Sequence, residues 1–377
     1  MDAPLTSAVR PLPSGIRRVA PLVLMRAGTV GVAAVFVGVL LLPAPTPTAT
    51  GAGASTPSPP PALSARITVP SSIDASGATD ASAALQNWLN AVPDGSTVVF
   101  SEGGVYRMDK GLRVSRRRNL IFEGNGATLK SNGDATPRSS LFILAGSTGI
   151  TVRDFALVGN SPTPGVYSTS GEYAHGVYVL GGRDVEIASV TIRAVWGDGV
   201  MIENWADSVR FHDSQVVSVG RNGVSITAGS HVIIEDVAFD KTGGSLLDIE
   251  PWQASGGANH VVLRNCTGGT RGENLDPAIG YGYFFAADGA PGSVINDVAV
   301  TGNTITGASI AADVTSTTRR TKIVFTNNVS TVPSSGPYNG PILNFAHVDG
   351  LTVTGNVQPL SSGELIRIID STGILYR

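Results

Sequence analysis

Asp248 and Glu250 sit two residues apart inside the apolar run Leu246-Leu247-Asp248-Ile249-Glu250, with Trp252 just beyond. Upstream, Asp198 and Glu203 bracket Gly199-Val200-Met201-Ile202, and Arg221-Asn222 leads into Gly223-Val224-Ser225-Ile226. His175 stands before Gly176-Val177-Tyr178-Val179 in the same way. Paired carboxylates can donate a proton and accept one, and an imidazole or guanidinium can orient them. Trp196, Trp205 and Trp252, three of the chain's 4 tryptophans, fall in the same stretches. Aromatic planes to position rings and acids to move protons are what cleavage of a sugar chain requires.

These residues act together only if the fold stacks them, and the sequence contains a device for stacking. Val185-Glu-Ile-Ala-Ser189 is echoed by Val209–Asp213, Val232–Asp236 and Val261–Asn265, with weaker copies at Ile150–Asp154, Val298–Gly302, Ile323–Asn327 and Leu351–Gly355. Each copy reads as a period-2 strand with two apolar residues facing inward and closes on Asp, Asn, Ser or Gly at a turn. The second strand recurs at Gly176, Gly199, Gly223 and Leu246, in steps of 23, 24 and 23 residues. Short strands at this period, with no helical segment between them, predict a solenoid: an all-β, right-handed parallel β-helix. Equivalent positions of successive turns should lie about 4.8 Å apart.

Alignment of the second strand then stacks His175, Asp198, Asn222 and Ser245 in one turn. It places Tyr178, Met201, Ser225 and Asp248 in one outward column, and Leu180, Glu203, Thr227 and Glu250 in the next. Asp198 and Asp248, two turns apart, should have backbones roughly 10 Å apart by the strand spacing. Side-chain reach brings that into the roughly 6.5–9.5 Å an inverting hydrolase uses to hold a water between acid and base. We therefore expect Asp198, Asp248 and Glu250 as acid/base groups, supported by Glu203 and His175. Tyr173, Tyr178, Trp196, Trp205, Arg221 and Trp252 are expected to contact substrate. No resident metal is expected. The competing enzymatic reading is a lyase or epimerase, for which an acid cluster could bind Ca²⁺. The non-enzymatic reading is a surface solenoid that binds glycan. Asp154, Asp213, Asp236, Asn265 and Asn327 read as a structural turn ladder with no part in catalysis.

Insertions interrupt the period at Asn160–Ala174, Pro251–Asn259 and Gly268–Tyr281, and they carry Tyr167, Tyr173, Trp252, Arg271 and Glu273. Insertions in solenoids gather on one face, often the binding face. The net charge of −3 gives no basis for nucleic-acid binding, and the partner expected is a polysaccharide or cell-wall glycan. The single Cys266 follows a strand and reads as core filler.

The first residues belong to export rather than to the fold. Arg10, Arg17, Arg18 and Arg26 precede an apolar run from Ala27 to Leu42, and a Pro/Thr/Ala/Ser-rich stretch follows. Residues 1–45 are read as an export signal or membrane anchor, 46–65 as a linker, and 66–377 as the β-helix domain. That places a monomeric domain at the cell surface or secreted, from a bacterium. Ala84, Leu85, Trp88, Leu89 and Val92 share a helical face after Asp80, a candidate N-cap, and this helix should cover the first turn of the solenoid.

The run from Asp74 to Tyr106 has Asp-x-x-Gly-Ala-x-Asp, an Ala/Leu helix and Val-Val-Phe-x-x-Gly-Gly-x-Tyr. It resembles the opening of the pectin-lyase-like superfamily, of the pectate-lyase/polygalacturonase type. The resemblance implies the same β-helix and a carbohydrate-active function. It does not extend to every motif. Trp196-Gly-Asp198-Gly199 resembles the Asn-Thr-Asp-Gly of polygalacturonases, but Arg221-Asn222 and Gly243-Gly244 stand where their Asp pair and Gly-His-Gly would be. Ordinary polygalacturonase chemistry is therefore not expected.

Overall fold

A computed structural model describes residues 65–377 except 134–135, 137–138, 271–281, 308–309, 332–333, 336–340 and 363. The expected export signal, nearly all of the expected linker, Arg271 and Glu273 lie outside the described residues. Among the described residues no helix is long and apolar enough to cross a membrane.

All eight copies of the repeat fall into one parallel column. Ile150 pairs with Val185, and the register continues through Val209, Val232, Val261, Val298, Ile323 and Leu351. These side chains are buried, and alternate residues of each strand point inward to make one continuous apolar interior. The closing residues behave as their types dictate. Asp154, Ser189, Asp213, Asp236, Asn265, Gly302, Asn327 and Gly355 all have φ between 49° and 67°. Only glycine, or a short polar side chain that can bond locally, enters this left-handed region at low cost.

The interior changes character along its length. At the N-terminal end aromatic rings stack edge to face, Phe100 on Tyr106 at 5.2 Å, Phe100 on Phe155 at 4.9 Å and Phe142 on Phe155 at 5.5 Å. Toward the C-terminus buried rings such as Phe325 and Phe345 are joined by a ladder of asparagines, Asn303 and Asn328 buried and Asn356 half-buried. Asn303 Oδ1 accepts the Cys266 N–H at 2.9 Å, Asn328 Oδ1 accepts the Asn303 N–H at 3.1 Å, and Asn356 Oδ1 accepts the Asn328 N–H at 3.0 Å. Their amide groups donate onward to the carbonyls of Leu263, Val300 and Phe325. Cys266 heads this ladder as a buried thiol, and burial pushes its pKa up to about 12, so it is inert filler.

The helix Ser82–Ala91 caps the first turn with Leu85 and Leu89 fully buried and Trp88 packed on the core. Two details differ from the sequence reading. Ala84 is exposed, because the contact stripe is narrower than the helical face assigned to it. Ala81, not Asp80, is the N-cap, although Asp80 Oδ1 still accepts the Ser82 N–H at 2.9 Å. At the other end the Arg117 guanidinium donates to the carbonyl of Val92 and to that of Leu89, which also accepts the Val92 N–H at 3.1 Å.

Candidate active site

The second strand of the repeat sets the site. Tyr178 pairs with Met201, Met201 with Ser225, Ser225 with Asp248, Asp248 with Ala286, and Ala286 with Asp313. In the neighbouring column Leu180 pairs with Glu203. Glu250 and Asp288 extend that column, since their N–H groups donate to Ile226 and Ile249 carbonyls of the adjoining turns. The parallel ladder thus delivers four carboxylates, Asp248, Glu250, Asp288 and Asp313, to one face within three adjacent turns.

Arg221 is the hub. Its Nη1 donates to both oxygens of Asp198, at 3.1 and 3.3 Å, and its Nη2 donates to the Glu250 carboxylate. Asp198 is wholly buried, accepts the Asn222 N–H at 2.9 Å and lies 3.2 Å from His175 Nδ1. Burial works to raise its pKa. The Arg221 charge, His175 and the Asn222 N–H outweigh that and hold the carboxyl below the usual carboxylate range. Asp198 is therefore a fixed anion that orients Arg221.

Asn222 carries the network one turn further. Its Nδ2 donates to Ser225 Oγ at 2.9 Å and to Asp248 Oδ2 at 3.2 Å, and its Oδ1 accepts the Ser245 N–H at 2.7 Å. Asp248 Oδ1 is a buried atom without a hydrogen-bond partner. Burial, then the charges of Glu250 and Asp288, push the Asp248 pKa well above the ordinary value against the pull of Arg221. Because Oδ2 is occupied as an acceptor, the proton of the neutral acid belongs on Oδ1. Burial also raises Glu250, opposed by Arg221 and aided by Asp198 and Asp288. Burial pushes Asp313 up to about 6, against hydrogen bonds from Thr315 and Asn344.

These groups line a cavity of about 240 Å³ walled by Arg221, Asn222, Ser245, Asp248, Glu250, Tyr283, Asp288 and Asp313. A second cavity of about 310 Å³ shares Arg221 and Glu250 and adds Tyr173, His175, Tyr178, Glu203 and Trp252. Asp198 lines neither. The site is a carboxylate-rich hollow opening onto an aromatic one.

No family model matches the chain, and no curated protein matches it in sequence. Solved structures do match in shape. An alginate lyase from Paenibacillus sp. str. FPU-7 aligns at TM-score 0.52 and 14% identity, over 76% of this chain and 95% of that one. The Streptococcus pneumoniae surface protein and adhesin PfbA aligns at TM-score 0.52 and 9% identity, over 81% and 97%. The exopolygalacturonase from Thermotoga maritima aligns at TM-score 0.50 and 11% identity, over 82% and 92%. The chain has the pectin-lyase-like fold.

Within this pectin-lyase-like β-helix, the residues singled out from the sequence divide into groups. Asp248, Glu250, Glu203, His175, Tyr173, Tyr178, Arg221 and Trp252 all wall the two cavities. Tyr178 donates its hydroxyl to Glu203 and so is a fixed wall. Tyr173 and Trp252 are 73% and 64% exposed, free faces on which a ring can stack. Trp205 is half-exposed and flanks Trp252 in a smaller depression, its indole N–H held by the Ser255 carbonyl at 2.9 Å. Trp196 departs from expectation: it is buried, with its N–H bonded to Asn160 Oδ1 at 2.9 Å, and it packs the Asn160–Ala174 insertion against the solenoid. Arg193 and Arg210 belong to other faces, Arg210 pairing with Glu235.

Asp288 and Asp313 escaped the sequence reading. Phe285-Ala286-Ala287-Asp288 and Ala312-Asp313-Val314-Thr315 repeat the pattern of Leu247-Asp248-Ile249-Glu250. The step from Leu246 to Phe284 is 38 residues instead of 23, and that interruption hid the register. As for Ca²⁺, among the described residues no three His, Cys, Asp or Glu side chains are grouped as a metal ion requires.

Proposed function

We propose that the protein is an inverting glycoside hydrolase acting on a polysaccharide, with Asp248 as general acid and Asp313 as general base. The observation that carries this reading is Asp248 on the cavity wall, its Oδ1 buried and unpartnered, where burial and like charges push its pKa well above the ordinary value. Asp313 stands two turns away in the same column, about 10 Å between backbones by the strand spacing, which leaves room for a water. In the reaction Asp248 gives its proton to the glycosidic oxygen as the C–O bond breaks. Asp313 takes a proton from the water that attacks the anomeric carbon from the opposite side. Trp252 and Tyr173 stack the adjoining sugars, and Arg221, fixed by Asp198, holds Glu250 in place.

Two features weigh against elimination. A lyase with an arginine base needs that guanidinium uncharged, and the one guanidinium on the described walls is held charged by Asp198 and Glu250. No lysine lines either cavity. A purely adhesive solenoid would have no use for three carboxyl groups with raised pKa values in one hollow. In this reading residues 1–45 export the chain and 46–65 tether a monomeric domain outside the cytoplasm, which fractionation of expressing cells tests. Proton NMR of freshly released product tests the mechanism. Inverted anomers are expected; retained anomers or an unsaturated, ultraviolet-absorbing end group would contradict it.

A further inference from the structure

The reading of the site as a hydrolase leaves the glycan unspecified, and the charges on the cavity walls narrow it. The larger hollow has Glu172, Glu203 and Glu250, and the deeper one adds Asp248, Asp288 and Asp313. Against these six acids the described walls offer one guanidinium, Arg221, and one imidazole, His175. Both terminal nitrogens of Arg221 are already committed, Nη1 to Asp198 and Nη2 to Glu250. His175 is buried with Nδ1 against Asp198.

We infer that the sugar residues bound in these two cavities carry no carboxylate, sulfate or phosphate: the substrate is a non-anionic glycan. This rests on the hydrolase reading for the identity of the site, but the argument is one of charge. A uronate seated beside Asp288 and Asp313 would bring a further negative charge into a partly enclosed hollow whose described walls hold no free cation to meet it. At contact distance in such surroundings each like-charge pair weakens binding by about tenfold or more. Neutral hydroxyls meet no such penalty, because the ionised carboxylates on the wall can accept hydrogen bonds from them and a neutral Asp248 can donate one. The inference separates this chain from the alginate lyase and exopolygalacturonase that share its fold, whose names denote acidic polymers.

The test sets neutral polymers (β-glucan, galactan, mannan, xylan) against anionic ones (polygalacturonate, alginate, hyaluronan) under the full-length protein, read by release of reducing ends. We expect products from neutral members alone, at least a hundredfold faster than from any anionic one. Cleavage of an anionic polymer that is abolished by Asp248→Asn overturns the inference while leaving the hydrolase reading intact. If no polymer is cleaved, the hydrolase reading falls, and affinity electrophoresis in gels containing the same polymers decides the charge question. Retardation by an anionic gel that Arg221→Gln abolishes overturns the inference. Unretarded migration through every anionic gel, with or without retardation by a neutral one, upholds it.

Discussion

Two columns of turn residues run along this solenoid, built from the same residue types at the same period, and they do different things. Asp154, Asp213, Asp236, Asn265 and Asn327 line one corner in left-handed backbone. The other corner stacks His175, Asp198, Asn222 and Ser245, none of them more than 3% exposed. At the first corner a short polar side chain relieves a backbone conformation and otherwise meets water. At the second the insertions and neighbouring turns seal the column, so each polar atom must find a protein partner. The result is the chain of contacts from His175 through Asp198, Arg221 and Asn222 to Asp248. Residue type and spacing made the two columns look alike, and burial separates them.

Substitutions that act on one column and not the other sharpen the contrast. The largest effect is expected from Arg221→Met, which strands Asp198 as a buried charge and frees Glu250. Removing one partner of a buried pair costs about 3–5 kcal/mol, so denaturant midpoints should fall accordingly. Arg153, on an exposed face, should cost under about 1 kcal/mol when changed to Met. Next comes the same chemical change made in both columns. Asp198→Asn should lose about 1–3 kcal/mol, because a charged acceptor for Arg221 and for the Asn222 N–H is weakened. Asp236→Asn should stay within about 0.5 kcal/mol, since Asn fills that corner elsewhere at Asn265 and Asn327. Equal losses in the two would erase the distinction.

The pH dependence follows from opposite shifts. Asp198 has a lowered folded pKa, so its contribution to stability is present above the unfolded value and is lost as pH falls through the folded one. Asp248 is raised, so its protonated form stabilises the fold below the unfolded value, and that contribution disappears as pH rises through the folded pKa. Turnover should rise with pH through about 6 as Asp313 ionises and decline at the higher pH where Asp248 gives up its proton. Initial rates from pH 4 to 9 check both limbs, and Asp313→Asn should remove the acid limb along with most of the rate. The smallest expected effect on the fold is that of Trp252→Ala. With the ring 64% exposed, melting should be unchanged while KM rises by about tenfold.

Much of the solenoid could be read from the chain. Its eight closing residues announced the left-handed corner, and the glycine step placed Tyr178, Met201, Ser225 and Asp248 in the column they occupy. What could not be read was burial across insertions. Trp196 looks like an exposed platform until Asn160 arrives from an inserted loop to bond it. Asp198 looks like an acid beside an open face until Arg221 and His175 close over it. Asp288 and Asp313 lay beyond the longest break in the period. Periodicity fixes which residues align; it does not say which of them water reaches.

The central claim is that Asp248 is the proton donor, held protonated by its surroundings. The most direct measurement compares the initial rate of glycan cleavage by Asp248→Asn with that of the unaltered protein, with melting followed on the same samples at pH 7. Asn keeps the shape and cannot ionise, so the melting temperature should hold or rise while the rate falls by about 10²–10⁴-fold. An undiminished rate at an unchanged melting temperature would contradict the account.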